Sequence, residues 1–291
     1  MSIINYSAEK KLLTVARGHP YDRGAFAALF EGLEDHDICH VEQPLAQRFL
    51  NPKGAREFNA IVCYDMPGVD FTSSGEGPGL VDPGKSVISD FCAMLEQGVG
   101  MVFLHHALAA WPAWPEFAEI IGGRFHYRPA HLRGQAWPDS GYRHNVRHRV
   151  TRLQDHPVTA GLPDHFDMTD ELYLCPVLED EVIPLLRSDY TFTGENFFSA
   201  AKAVAGEMNS REGWSHPEGS SLVGWVKAWG NSPIVYLQGG DDVEALGNPH
   251  FRMLVQNAVR WVGGEAALDW LKEYRDTVNQ PLAPADPGHA Q

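Results

Sequence analysis

The chain has 291 residues, 44% of them hydrophobic and 21% charged, with a formal net charge of −15 at pH 7. This length suits one large α/β domain, and the negative charge disfavours nucleic acid and anionic membrane surfaces as partners. No apolar run is long enough to cross a bilayer, and the first residues lack the basic start and apolar core of a signal peptide. We therefore expect a cytoplasmic protein that binds a small molecule.

The first half of the chain alternates short apolar runs with segments of helical spacing. Strands are predicted at 12–16, 37–41, 60–64 and 99–104, and helices at 21–30, 90–97 and 116–121. This alternation predicts βαβ units and a parallel sheet. Residues 72–85 are rich in Gly, Ser and Pro and are predicted to form a loop, in which Glu76 and Pro78 argue against phosphate binding.

The second half mixes strands with one long, polar segment. Strands are predicted at 142–150, 166–174, 182–186, 223–226 and 234–237, and a helix begins at Asn248. Residues 191–220 are predicted to form a long loop that acts as a lid or a substrate wall. The domain is predicted to span residues 1–264, with a C-terminal helix and a disordered tail over 265–291.

Several polar residues follow predicted strands, and the carboxyl ends of parallel strands meet at one edge of a sheet. These residues are His19, Asp65, His105, His106 and Asp241. They allow two kinds of site. His19, Asp65, His105 and Asp241 could hold a divalent metal, zinc or manganese, or the set could bind a sugar and supply an acid and a base. Of the two adjacent histidines, His105 is expected to be exposed and His106 to face the core.

Further candidates lie elsewhere in the chain. Asp170 and Glu171 precede an apolar strand, and only one of two neighbouring side chains can enter the site while the other meets solvent or a backbone donor. Trp111, Tyr173 and Trp214 could offer ring faces to a sugar, with His216 beside the last of them. The pairs His36/His40 and His144/His148 have the spacing of a helical metal site but fall in predicted strands.

A series of short motifs gives the chain a family resemblance. The motifs are Arg17–Pro20, Tyr64–Gly68, Gly100–Leu108 with Trp111 and Trp114, Ile121–Arg124, His156–Leu162, Thr169–Tyr173 and Asn248–Arg252. In their order and coverage the chain resembles the ThuA-like (trehalose utilisation) family of the class I glutamine amidotransferase-like superfamily. The resemblance implies a three-layer α/β/α flavodoxin-like sandwich with a mostly parallel sheet. It also implies a role in the breakdown of disaccharides or other glycosides, beside a sugar oxidoreductase.

Two positions bear on activity. True amidotransferases carry a cysteine nucleophile in the turn after the central strand, where this chain has His105 and His106, so glutamine hydrolysis is not expected. Relatives usually read Gly-His after the last strand, and this chain reads Gly240-Asp241. If that histidine serves catalysis or metal binding, the chain has either changed its ligand to a carboxylate or weakened the site.

These observations lead to an expected reaction and to an alternative. A ketone acidifies the neighbouring C–H bond, so a 3-keto-glycoside could lose its aglycone by elimination or isomerise through an enediol. His105 or Glu171 is predicted to be the base, and a metal or His19 to polarise the carbonyl. The alternative is a non-catalytic sugar-binding protein or subunit. Aromatic residues in the long loop would suit a homodimer.

Overall fold

The structure is a computed structural model that describes residues 4–73 and 77–277. Its strands are β1 (Lys10–Arg17), β2 (His36–Glu42), β3 (Ala60–Asp65), β4 (Val69–Asp70), β5 (Gly79–Leu80), β6 (Gly100–Leu104), β7 (Ala130–Leu132), β8 (Gln135–Trp137), β9 (Gly141–Arg152), β10 (His165–Leu174), β11 (Ile183–Ser188), β12 (Phe198–Ser199), β13 (Leu222–Trp229) and β14 (Ser232–Leu237). Its helices are α1 (Arg23–Ala28), α2 (Pro52–Ala55), α3 (Lys85–Glu96), α4 (Glu116–Ile121), α5 (Ala200–Val204), α6 (Val243–Gly247), α7 (Pro249–Val262) and α8 (Glu265–Thr277).

One ten-stranded sheet runs through the molecule in the order β10-β9-β11-β13-β14-β6-β3-β1-β2, with β12 paired to β9. The five strands from β14 to β2 are parallel to one another. From β13 to β10 each strand pairs antiparallel with its neighbour. The turn after β6 therefore lies in the parallel half of the sheet, whereas β9 and β10 lie in the antiparallel half.

The parallel strands are buried on both faces because helices cover each side. In β3, Val62 and Tyr64 belong to one core, whereas Ile61 and Cys63 belong to the other. Helix α7 packs its apolar face against the first core, and α3 packs against the second. The predicted three-layer α/β/α sandwich is therefore confirmed.

Most of the predicted elements are confirmed, and the differences lie in segments without a strong apolar pattern. The Asn248 side chain accepts from the N–H groups of His250 and Phe251 and caps α7, as predicted. The segment 191–220 is not a bare loop, because it contains β12 and α5. The small hairpin of β7 and β8 was not predicted.

The C-terminal helix is confirmed as α8, which buries Ala267 and Leu271. The predicted disordered tail falls mainly on residues 278–291, which lie outside the described residues. Within residues 4–73 and 77–277, none of the helices has the length and apolar character needed to cross a membrane.

Candidate functional site

The turn after β6 fixes the position of two histidines. His105 has a φ of 46° and begins a short 3₁₀ turn, which the buried Arg124 holds by donating to the carbonyls of Ala110 and Trp114 at 2.6 and 2.8 Å. The expectation that His105 is exposed is wrong, since both His105 and His106 are buried. The turn directs the imidazole of His105 below the surface, towards residues of β10 and of the loop after β14.

The contacts of His105 define its tautomer. Its Nδ1 lies 2.6 Å from the carbonyl oxygen of Gln238, and because a carbonyl only accepts, Nδ1 carries a proton. The Nε2 atom lies 3.1 Å from Glu171 Oε2, 3.4 Å from Asp241 Oδ1 and 2.7 Å from the hydroxyl of Tyr173. In the neutral ring Nε2 therefore carries a free electron pair, and this nitrogen faces two carboxylates.

A second imidazole completes the group. His144 Nδ1 lies 3.3 Å from Glu171 Oε1 and 3.4 Å from Asp241 Oδ2. We call His105, His144, Glu171 and Asp241 the four-residue cluster. His144 was not predicted as a site residue, although the alternating pattern of β9 placed it on one face with His148.

The charges within this cluster shift its pKa values in opposite directions. Burial alone would lower the pKa of His105, but Asp241 and Glu171 outweigh it and hold that pKa well above its ordinary value. The pKa of His144 is raised by its hydrogen bond to Asp241. Burial would raise the pKa of Asp241, but the two imidazoles lower it instead. The arrangement thus favours protonated imidazoles at His105 and His144 beside an ionised Asp241.

Asp170 positions Asp241 by holding its backbone. The register between β10 and β9 shifts at Asp170, and both Asp170 and Glu171 are buried. The carboxylate of Asp170 accepts from the backbone N–H of Gly240 at 2.7 Å and of Asp241 at 3.1 Å, and burial raises its pKa to about 7. Of the two neighbouring acids, Asp170 therefore meets backbone donors, whereas Glu171 faces His105.

His19 approaches the cluster from the loop after β1. Its Nδ1 donates to the carbonyl of Pro20 at 3.0 Å, which leaves Nε2 as an acceptor in the neutral ring. The ring stacks on His106 at 4.8 Å, and His106 in turn donates from Nε2 to the carbonyl of Tyr64 at 3.1 Å. Burial, and then the charge of His105, lower the pKa of His19. His19 is therefore neutral at pH 7.

These groups open onto a pocket of about 410 Å³. The size lies in the range of small-molecule sites. Its polar side chains include His19, His144, Glu171 and Tyr173. The rest of the lining is Gly18, Pro20, Phe71, Phe125, Tyr127, Tyr142, Ala200, Ala203, Val204 and Met208. Residues 200–208 belong to the segment predicted as a lid or substrate wall, and they do form one wall.

Two members of the predicted metal set, His19 and Asp65, lie outside the group of converging ligand atoms. Asp65 lies on the opposite face of β3 from Tyr64, is buried, and accepts from Gln43 Nε2 at 2.6 Å. Among the described residues, the ligand atoms that come within 4.8 Å of one another belong instead to His105, Glu171 and Asp241. Asp65 does lie at the end of β3, as predicted. Successive side chains of a strand alternate between its two faces, however, and only one face of β3 meets the pocket.

Four other predicted substrate contacts lie outside the pocket lining, namely His106, Trp111, Trp214 and His216. Trp111 packs on Gly68 and donates its backbone N–H to Pro67 at 2.7 Å. Trp214 donates from its indole to the carbonyl of Asp139, and its ring lies 5.8 Å from that of His216. These residues hold loops together. Of the predicted aromatic contacts, Tyr173 is the one that lines the pocket.

The fold and the site define a class of protein. It is a flavodoxin-like α/β sandwich with a small-molecule pocket beside the end of its central parallel strand, where a buried histidine follows the strand directly. The chain belongs to the ThuA family, because the family model described as ThuA, trehalose utilisation, matches residues 24–262. The comparison with curated proteins returns no match.

Solved structures share the fold at low sequence identity. A ThuA-like protein from Parabacteroides merdae ATCC 43184 has a TM-score of 0.59 and 15% identity, with 88% of this chain and 90% of that chain covered. One from Bacteroides uniformis ATCC 8492 has a TM-score of 0.59 and 18% identity, covering 89% and 93%. A cytoplasmic protein from Salmonella typhimurium LT2 has a TM-score of 0.53 and 9% identity, covering 87% and 99%.

We expect Asp170 to be a structural requirement of the site. Asp170→Ala leaves the backbone N–H groups of Glu171, Gly240 and Asp241 without this acceptor and should lower the free energy of unfolding by about 2–4 kcal/mol. Asp170→Asn retains one acceptor oxygen and should cost less. Urea denaturation of both variants measures the difference, and equal stabilities for Asp170→Ala and the unaltered protein would contradict this role.

Proposed function

We propose that this protein is an enzyme of sugar metabolism that acts on a glycoside or its 3-keto form by acid–base chemistry in the pocket. The observation that carries the proposal is the pairing of two imidazoles around one cavity. His19 offers an accepting nitrogen and has a lowered pKa, whereas His144 has a raised pKa. Titratable groups whose environments separate their pKa values are a natural base and acid. The family description, trehalose utilisation, supports a sugar as substrate.

The tautomer of His19 changes the role that the sequence suggested for it. With Nδ1–H bonded to Pro20, the neutral ring cannot donate to a carbonyl, so we assign His19 as the base rather than the polarising group. Glu171 and His105 face each other within the cluster, so each already has the other as a hydrogen-bond partner. In this proposal they position His144, whose Nδ1 faces the carboxylates and whose Nε2 serves as the donor.

The proposed elimination needs no further reactant. His19 Nε2 takes the proton from the carbon next to the ketone, and the bonding electrons form an enolate. The enolate electrons then form a double bond to the anomeric carbon as its bond to the aglycone oxygen breaks, and the ketone is restored. His144 donates a hydrogen bond to the ketone oxygen and stabilises the enolate. His19 then returns the proton to the leaving oxygen. Isomerisation would instead place the proton on the former ketone carbon, with transfer of the neighbouring hydroxyl proton to the former ketone oxygen.

The four-residue cluster also fits a divalent cation, and we propose zinc or manganese. His105 donates from Nδ1 to a backbone carbonyl, the arrangement that orients most histidine ligands. His105, His144, Glu171 and Asp241 would supply nitrogen and oxygen donors that suit these ions. A bound cation would add positive charge beside the substrate carbonyl. Asp241 would then be a carboxylate ligand in the place of the family histidine.

A non-catalytic sugar-binding protein is the second candidate. It is favoured by the mutual pairing within the cluster, where the imidazoles and carboxylates already satisfy one another. A sugar oxidoreductase as the source of the keto substrate, a homodimer, a cytoplasmic location and the absence of nucleic acid or membrane partners stay predictions.

The His19→Gln variant tests the enzyme proposal. Glycosides and their 3-keto forms are assayed with and without added Zn²⁺ or Mn²⁺. If His19 is the base, the variant should retain sugar binding while kcat falls by about 10²–10⁴. His165→Gln removes an exposed histidine outside the pocket and serves as control. Full activity in His19→Gln would contradict the assignment, and binding without turnover in the unaltered protein would favour the second candidate.

Thermal unfolding tests the cation proposal without relying on activity. A ligand that binds only the folded state at 100 times its Kd stabilises it by about 2.7 kcal/mol. Zn²⁺ or Mn²⁺ should therefore raise the Tm of the unaltered protein and of His165→Gln by several degrees, and that of Asp241→Asn by much less. Equal shifts in all three proteins would contradict a site at the cluster.

A further inference from the structure

We propose that the substrate is an amphipathic glycoside whose aglycone is apolar and preferably aromatic, rather than a disaccharide. This inference rests on the proposed function and assigns the part of the pocket that the acid–base groups do not use. The sugar would lie against His19, His144 and Glu171. The aglycone would lie along an outer wall, which we call the apolar wall and define as Phe71, Phe125, Tyr127, Ala200, Ala203, Val204 and Met208.

One side of the apolar wall is a continuous series of aromatic rings. It starts at Tyr173, whose hydroxyl contacts His105, and the Phe125 ring lies 4.6 Å from that of Tyr173. Tyr127 follows at 5.2 Å from Phe125, and Phe71 lies 5.3 Å from Tyr127. Phe71 is 45% exposed. The series therefore leads from the reacting groups to the surface, which is the path that a leaving group would occupy.

The rest of the apolar wall consists of small and flexible apolar residues of the segment 191–220. Ala200, Ala203 and Val204 lie on α5, and Met208 follows it with 57% of its surface exposed. Alanine side chains leave room beside the aromatic series. Methionine adapts to rings of different shape and makes favourable contacts with aromatic groups. A flat apolar group would thus contact both aromatic rings and small aliphatic side chains of one pocket.

The hydroxyl groups of this region are already engaged within the protein. Tyr127 donates to the sulfur of Met66 at 3.5 Å. The Tyr142 hydroxyl accepts from the N–H of Asn209 at 2.8 Å and contacts the Met208 sulfur at 3.9 Å. A second sugar placed here would give up hydrogen bonds to water and gain few in return, which is costly for each buried hydroxyl. An aromatic aglycone would lose none.

The size of the pocket agrees with this division. A volume of about 410 Å³ leaves room beside one hexose ring for a second group of similar size. The polar side chains His19, His144 and Glu171 suffice to bind hydroxyls of one ring. The pocket therefore combines a polar end for one sugar with an apolar wall for an aglycone.

Matched substrates test the inference directly. Methyl and phenyl 3-keto-glucosides share the sugar and differ only in the aglycone, and a 3-keto-disaccharide supplies the polar comparison. We expect kcat/KM for the phenyl compound to exceed that of the other two by about tenfold or more. Binding of methyl and phenyl glucoside, measured by calorimetry, should show the same order.

Two exposed positions allow the wall to be altered without disturbing the core. Phe71→Ser and Met208→Ser should each remove most of the preference for phenyl over methyl. Leu268→Ser removes a similarly exposed apolar side chain from α8, outside the pocket, and should leave that preference unchanged.

The outcomes separate the two proposals. A phenyl preference that is lost in both wall variants and kept in Leu268→Ser supports the apolar wall. Equal or better use of the disaccharide, or a phenyl preference that survives both wall variants, overturns the inference while the proposed function stands. Failure of every compound to bind or react overturns both.

Discussion

Two carboxylates, Glu171 and Asp241, lie together beneath the pocket, and their charge must be balanced where little water reaches. Glu171 is 5% exposed and Asp241 is 16% exposed. Buried charges persist only when they are paired or bind a metal. Two protonated imidazoles would supply the two positive charges, and so would one divalent cation. This requirement explains why His105 and His144 both direct a nitrogen at both carboxylates.

The fold brings these groups together from four separate places in the chain. His105 follows the central parallel strand β6, Glu171 lies on β10, His144 lies on β9, and Asp241 follows β14. Asp170 connects two of them, because its carboxylate holds the backbone of Gly240 and Asp241 while the next residue enters the site. The cluster therefore depends on the register shift in β10 as much as on the turn after β6.

The sequence predicted the scaffold well because apolar runs and caps are local signals. It also placed His105 and Asp241 near one another, since strand ends converge in a parallel sheet. It failed where the answer depended on long-range geometry. Asp65 was assigned by strand end without regard to strand face, and His144 was missed because the pairing of β9 with β10 is not encoded by any local pattern. The sequence did not indicate the apolar wall, because the small residues of α5 have the composition of an ordinary short helix.

The proposed mechanism requires that a base in the pocket remove a proton from the carbon beside a sugar ketone. The most direct measurement is proton exchange at that carbon, followed by NMR in D₂O with a 3-keto-glycoside whose aglycone has not yet left. The proposed mechanism predicts that the protein replaces this hydrogen by deuterium well above the background rate, and that the His19→Gln variant exchanges it no faster than background. No exchange above background, together with no release of aglycone, would contradict the account.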